Sequence, residues 1–153
     1  MAILNEGDKA PDFTAKDQNG NIVSLSEFKG KTVILYFYPK DDTPGCTAEA
    51  CDFRDNYQSL LNQGFEVIGV STDDEKSHKK FENKYSLPFT LVADESKEIV
   101  EAYGVWGEKN MYGKKYMGTI RKTFIINSDG IITKIIDKVD TANSSQQVLD
   151  ILK

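Results

Sequence analysis

Apolar residues along the chain fall into two patterns, short continuous runs and helically spaced stripes. Thr32 to Tyr38 (TVILYFY) is nearly unbroken and rich in β-formers, which predicts a strand covered on both faces and ended by Pro39. Phe65 to Ser71 (FEVIGVS) and Phe89 to Ala93 predict two more strands. Between the first two, Ala50, Phe53, Tyr57, Leu60 and Leu61 form one stripe, and Cys51, Arg54, Asp55, Gln58 and Asn62 lie opposite. That spacing predicts a helix with Thr43 as its cap, Pro44 at its first position and Gly64 as its stop. Glu75 to Tyr85 reads as a charged helix with Phe81 and Tyr85 facing in and His78 solvated at its edge, and Ser96 to Tyr103 as a short helix. Asp12 to Leu25 predicts a hairpin around Asn19-Gly20, a pair favoured where both turn residues have positive φ. A second hairpin joins Lys122–Asn127 to Ile131–Ile136 around Ser128-Asp129-Gly130, and a last helix opens at Ser144 with Gln147 completing a capping box. Lys109 to Lys122, with Met111, Tyr112, Tyr116 and Met117, reads as a loop, and Tyr103 and Trp106 as packing residues.

Alternating strands and helices followed by a hairpin and helix predict an α/β sandwich with a mixed central sheet. Right-handed crossover places the start of the Thr43 helix at the carboxyl end of the TVILYFY strand, where open α/β sheets collect ligands. The 153 residues suit one domain spanning 1–153, large enough to bury roughly 70% of its unfolded surface without a metal or disulfide. Nineteen basic against 24 acidic residues give a net charge of −5, the wrong sign for a nucleic-acid binder. No apolar run approaches the roughly 20 residues that span a bilayer. Met1 to Asp8 lacks a basic segment followed by an apolar one, so no secretory signal is expected and a reducing cytoplasm is the expected location. The Asn143-Ser144-Ser145 sequon then has no glycosylation role.

The chemistry narrows to two cysteines, Cys46 and Cys51. Cys46 falls near the third position of the Thr43 helix, where free N–H groups and the positive end of the dipole favour an anion. Residues five apart on an α-helix differ by about 7.5 Å of rise and about 140° of rotation, a Cα separation of roughly 8.6 Å. Disulfides need less than about 7 Å, so the pair bonds only if the first turns unwind. A zinc site does not fit, since no second cysteine pair follows and His78 is the one histidine. A thioredoxin-type pair has two intervening residues, and here there are four.

Pro39-Lys-Asp-Asp-Thr43-Pro-Gly-Cys46 matches Pro-x-x-x-Thr-x-x-Cys, the signature of the peroxiredoxins. The Cys51 spacing, Tyr36-Phe-Tyr-Pro-Lys and Thr43-Pro-Gly-Cys-Thr47 resemble the bacterioferritin-comigratory-protein, or PrxQ, branch. The resemblance extends through Gly7-Asp8-Lys9-Ala10-Pro11-Asp12-Phe13, Gly104-Val105-Trp106-Gly107-Glu108-Lys109 and Arg121-Lys122-Thr123-Phe124-Ile125-Ile126. It implies a thioredoxin-like fold and a thiol-dependent peroxidase that reduces hydrogen peroxide and organic hydroperoxides.

In that resemblance Cys46 is the peroxidatic nucleophile, oxidised to a sulfenic acid, and Cys51 the resolving cysteine that condenses with it. Thr43 offers a hydroxyl to thiolate and peroxide, Pro39 shields the sulfur, Arg121 stabilises thiolate and polarised O–O bond, and Glu49 orients the arginine. Taken alone, Arg121 before a strand reads as a solvated charge and Glu49 as a surface helix residue. The resemblance implies no cofactor or metal, re-reduction by thioredoxin or less often glutaredoxin, no nucleic-acid or membrane partner, and a monomer. A redox sensor and a general thiol–disulfide oxidoreductase are the alternatives; neither needs an oxyanion-type arginine beside the cysteine.

Overall fold

A computed structural model describes residues 4–152. Nine strands run in chain order: β1 Thr14–Asp17, β2 Ile22–Ser24, β3 Thr32–Phe37, β4 Phe65–Ser71, β5 Thr90–Ala93, β6 Trp106–Met111, β7 Lys114–Thr119, β8 Lys122–Ile126 and β9 Ile132–Ile136. The α-helices are α1 Pro44–Asn62, α2 Glu75–Tyr85, α3 Glu98–Ala102 and α4 Ser144–Ile151. Seven strands form one mixed sheet in the order β2-β1-β5-β4-β3-β8-β9, and β6 and β7 pair separately.

The TVILYFY run occupies the middle of this sheet, parallel to β4 and antiparallel to β8. Its side chains alternate between two cores. Val33, Leu35 and Phe37 pack with Ile99, Val100 and Tyr103 of the α3 side. Ile34, Tyr36 and Tyr38 pack with Cys46, Ala50 and Phe53 of α1, Phe81 of α2 and Val148 of α4. A strand with period-2 side chains and helices on both faces must be apolar at every position, which is why this one shows no polar alternation. The mixed, helix-flanked sheet expected from the sequence is the one found.

Several local expectations are corrected. The segment read as a loop forms the β6–β7 ladder, paired from Trp106↔Thr119 to Met111↔Lys114. Its turn places Tyr112 at φ 54° and Gly113 at φ 81°. A bulky aromatic there is uncommon, so the turn lacks the Asn-Gly signal that marks such hairpins. The Asn19-Gly20 turn needs positive φ only at Gly20; Asp17 shapes it by accepting from the Asn19 and Asn21 amides at 2.8 and 3.0 Å. The α3 helix starts at Glu98 rather than Ser96, and the Asp94 carboxylate caps it through the Ile99 and Val100 amides. No capping box opens α4: Gln147 accepts from the Asp140 amide, and the Ser145 amide bonds Asp52 of α1 at 2.7 Å. His78 is fully buried, not solvated, because both ring nitrogens find partners inside the fold.

Candidate active site

The β3-to-α1 connection delivers Cys46 to the carboxyl end of the central strand. It is the third residue of α1, 1% exposed, with Pro44 at the helix start as the sequence predicts. Thr43 holds the N-cap position, but its hydroxyl donates back to the Lys40 carbonyl at 2.8 Å instead of capping a helix amide. The side chain therefore shapes the loop from Pro39 to Thr43. Pro39 itself is half-buried directly after Tyr38, the core residue that follows β3.

Arg121 enters from the short link between β7 and β8, distant in sequence, and joins the two residues that α1 presents one turn apart. Its Nη2 donates to the Cys46 sulfur at 3.2 Å, and its Nη1 to Glu49 Oε1 at 2.9 Å. Residues three apart share a helix face, so sulfur and carboxylate grip the two ends of one planar fork. The Arg121 side chain is 22% exposed and that of Glu49 0%. Burial works against the charge on Arg121, but Cys46 and Glu49 outweigh it and hold the guanidinium more firmly protonated than a free arginine. Glu49 experiences the reverse balance. Burial pushes its carboxyl up to about 7, with Arg121 and the Ser144 hydroxyl pulling only partly back. Its other oxygen accepts from Ser144 of α4 at 3.3 Å.

Two contributors have no individual signal in the sequence. A Cβ at Gly45 would lie 3.2 Å from Arg121 Nη2, so the absent side chain is what lets the guanidinium approach the start of the helix. Lys109 of β6 interacts electrostatically with both Cys46 and Arg121 and donates to the Thr119 carbonyl at 3.0 Å; burial and then Arg121 lower its pKa, against the pull of Cys46. The β6–β7 hairpin thus brings a second cation towards the sulfur. Cys51, by contrast, is half-buried on the same helix, and neither cysteine is bonded to the other. Of the six residues singled out in the sequence, the structure brings Cys46, Glu49 and Arg121 into contact. Thr43 and Pro39 stand in the adjoining loop, and Cys51 is turned away around the helix. A surface cavity of about 600 Å³, lined by residues such as Gln18, Asn19, Asp74 and Lys79, shares none of these groups.

A buried cysteine at a helix amino terminus, with a guanidinium donating to its sulfur in an α/β fold of this order, defines a thioredoxin-like thiol peroxidase. Residues 6–135 match the AhpC/TSA family, and the chain belongs to it. Within that family it is similar to "Peroxiredoxin Bcp" of Escherichia coli K12, 45% identical over 153 residues covering 100% of this chain and 98% of the relative. "Peroxiredoxin Bcp" of Bacillus subtilis 168 is 46% identical over 147 residues, 96% and 94% of the two chains. Among solved structures, Peroxiredoxin Q of Xanthomonas campestris superposes with a TM-score of 0.85 at 36% identity, covering 92% of this chain and 89% of that one. A cysteine-to-serine variant of Xylella fastidiosa PrxQ gives 0.92 at 30% identity, covering 99% and 97%. The chain is therefore a peroxiredoxin of the Bcp/PrxQ branch and an enzyme of the thiol-peroxidase class. Among the described residues no helix is long and apolar enough to cross a membrane.

Proposed function

We propose that residues 1–153 form one peroxiredoxin domain that reduces hydrogen peroxide and organic hydroperoxides through Cys46 and is recycled by thioredoxin through a Cys46–Cys51 disulfide. The observation that carries this reading is the Arg121 fork, which donates at once to the Cys46 sulfur and to Glu49. The Cys46 thiolate attacks the terminal peroxide oxygen; the S–O bond forms as the O–O bond breaks, and the departing alkoxide or hydroxide takes a proton to leave as alcohol or water. Arg121 remains beside the oxygen as negative charge develops, where a fixed charged donor lowers the barrier most. Pro39 limits water at the sulfur, the Thr43 hydroxyl, released from Lys40, contacts thiolate and peroxide, and Glu49 holds the arginine plane.

The product, a sulfenic acid, condenses with the Cys51 thiol, releasing water and forming the disulfide. On an intact α1 the two Cα atoms are roughly 8.6 Å apart, so the amino-terminal turns must open before that bond can close. Two electrons from thioredoxin, or less often glutaredoxin, restore both thiols. Such a cycle suits a reducing compartment, and the cytoplasm is the proposed location, with a monomer as the working unit.

The test is peroxide consumption coupled to thioredoxin. Cys46→Ser is expected to abolish turnover. Cys51→Ser should consume one equivalent of peroxide and then stop. Oxidation of the native chain should also lower its far-UV helical signal, restored by dithiothreitol. Normal turnover in Cys46→Ser sinks the proposal.

A further inference from the structure

The chain's one histidine has no part in the chemistry just described, yet it is fully buried on α2 with both ring nitrogens engaged. His78 Nε2 lies 2.9 Å from the Val92 carbonyl of β5, a pure acceptor, so this nitrogen carries a hydrogen. His78 Nδ1 lies 2.6 Å from Asp41 Oδ2. Asp41 already accepts from the hydroxyl of Tyr38, just past β3, at 2.6 Å and from the Ser77 hydroxyl of α2 at 2.8 Å. With the carboxylate an acceptor throughout, Nδ1 also carries a hydrogen, and the ring is an imidazolium. Burial opposes that charge, but Asp41, the Val92 carbonyl and Asp73 after β4 outweigh it and hold the ring's pKa above its ordinary value.

These bonds converge on the loop that leads into α1. The Asp41 amide donates to Asp73 at 2.8 Å, and Asp73 is itself held by the Ser71 hydroxyl. The next residue, Asp42, sits at φ 58°, a left-handed conformation that non-glycine residues rarely take. Lys84 and the Tyr85 hydroxyl hold its carboxylate at 2.7 and 2.8 Å. The first turns of α2 thus grip Asp41 and its last turn grips Asp42. Pro39 precedes this pair and Thr43 follows it. Asp41, Asp73 and His78 also bring ligand atoms within 4.8 Å of one another, but shared protons and hydroxyl donors account for that cluster without a cation.

We propose that His78 is a positioning residue for peroxide reduction: as an imidazolium bound to Asp41 it holds the Pro39–Thr43 loop in the conformation that serves Cys46. The proposal rests on the reading of Cys46 as the peroxidatic cysteine. Deprotonation of the ring removes one of the two bonds that keep it between Asp41 and Val92, and the loop loosens without any change at Cys46 or Arg121 themselves.

The test compares two reactions of Cys46 in a Cys51→Ser background, single-turnover oxidation by hydrogen peroxide and alkylation by iodoacetamide. Alkylation needs the sulfur but not the loop. His78→Gln is expected to slow oxidation about tenfold or more while alkylation changes less than about twofold, the size of effect that a small misplacement of supporting groups produces. In the wild-type chain the ratio of the two rates should fall as pH rises through the titration of His78, followed by ¹⁵N NMR of its ring without ambiguity because there is one histidine. That fall should be absent from His78→Gln. An unchanged rate ratio in the variant, or a neutral ring at pH 7, overturns the proposal. If His78→Gln does not fold, the wild-type comparison of rate ratio against ring titration decides alone. Wild-type oxidation no faster than that of a free thiol sinks the peroxidase reading and this proposal together, whereas an unchanged ratio sinks this proposal only.

Discussion

Cys46 and Cys51 share one helix, five residues apart, and occupy opposite kinds of environment. Cys46 is enclosed by the strand it follows, by Arg121 on its sulfur and, one turn on, by a fully buried Glu49. Cys51 is half-buried on the face beside Arg54 and Asp55. The same side chain is thus presented once inside a prearranged charge cluster and once near the surface. On the proposed cycle, a helix can hold an attacking sulfur rigidly or give a resolving one reach, and rotation around α1 would divide the two tasks. Glu49 and Asp52 both bond α4, and in the proposed cycle these contacts would resist the opening that brings the two sulfurs together.

The strongest way to break the contrast is to remove the guanidinium. Arg121→Ala is expected to slow single-turnover peroxide reduction by roughly 10²- to 10³-fold, the usual cost of losing one preorganised charged donor. Alkylation of Cys51 should not change, and stopped-flow oxidation alongside mass spectrometry checks both. An equal loss at both cysteines would mean that the difference between them lies elsewhere.

Glu49 sharpens it next, through pH. Its folded pKa of about 7 stands above the ordinary 4.5, so the folded chain binds this proton more tightly than the unfolded one. The stabilisation from the protonated form is complete below about 4.5 and is lost as pH rises through about 7, on the order of 3 kcal/mol at one pKa unit per 1.36 kcal/mol. Glu49→Gln should flatten that dependence and raise the melting temperature at pH 8. The same variant should slow peroxide reduction about tenfold, because the guanidinium loses the partner that fixes its plane. A lower melting temperature at pH 8 would contradict this balance.

Gly45→Ala is a steric version of the same test. The new Cβ meets Arg121 Nη2 at 3.2 Å, a gap that forces a shift of a few tenths of an ångström. Oxidation of Cys46 should slow several-fold, with thermal stability kept and Cys51 alkylation unchanged.

The smallest effect belongs to the Cys51 side. Asp52→Ala removes the acceptor of the Ser145 amide and should cost about 1 kcal/mol, as lost helix caps do. With one tie between α1 and α4 gone, disulfide formation after a peroxide pulse should be faster, by less than about tenfold. Slower closure would show that α4 guides the opening instead of restraining it.

Legibility in the sequence followed the range of the interactions. The central strand, α1 and α2 are written in local spacing, since burial on one or both faces leaves a period that can be read residue by residue. The α2 helix runs from Glu75 to Tyr85 as predicted. The β6–β7 hairpin is not legible, because its turn is built on Tyr112-Gly113 and β7 opens on the exposed Lys114 and Lys115. His78 is misread for a related reason: a histidine among charged residues has the pattern of a solvated face, and its partners Asp41 and Val92 lie on other elements.

By itself the chain determined the order of its elements, the apolar centre of its sheet, and a cysteine placed at a helix amino terminus, because local spacing and turn chemistry are properties of neighbours. Its motifs named Arg121 and Glu49 through resemblance, while composition and periodicity assigned both to solvent. Only the tertiary structure decided that these two charges meet at Cys46, that Gly45 makes room for them, and that a buried histidine bonds Asp41 in the loop alongside. Charges separated by some 70 residues acquire their meaning when burial removes water from between them.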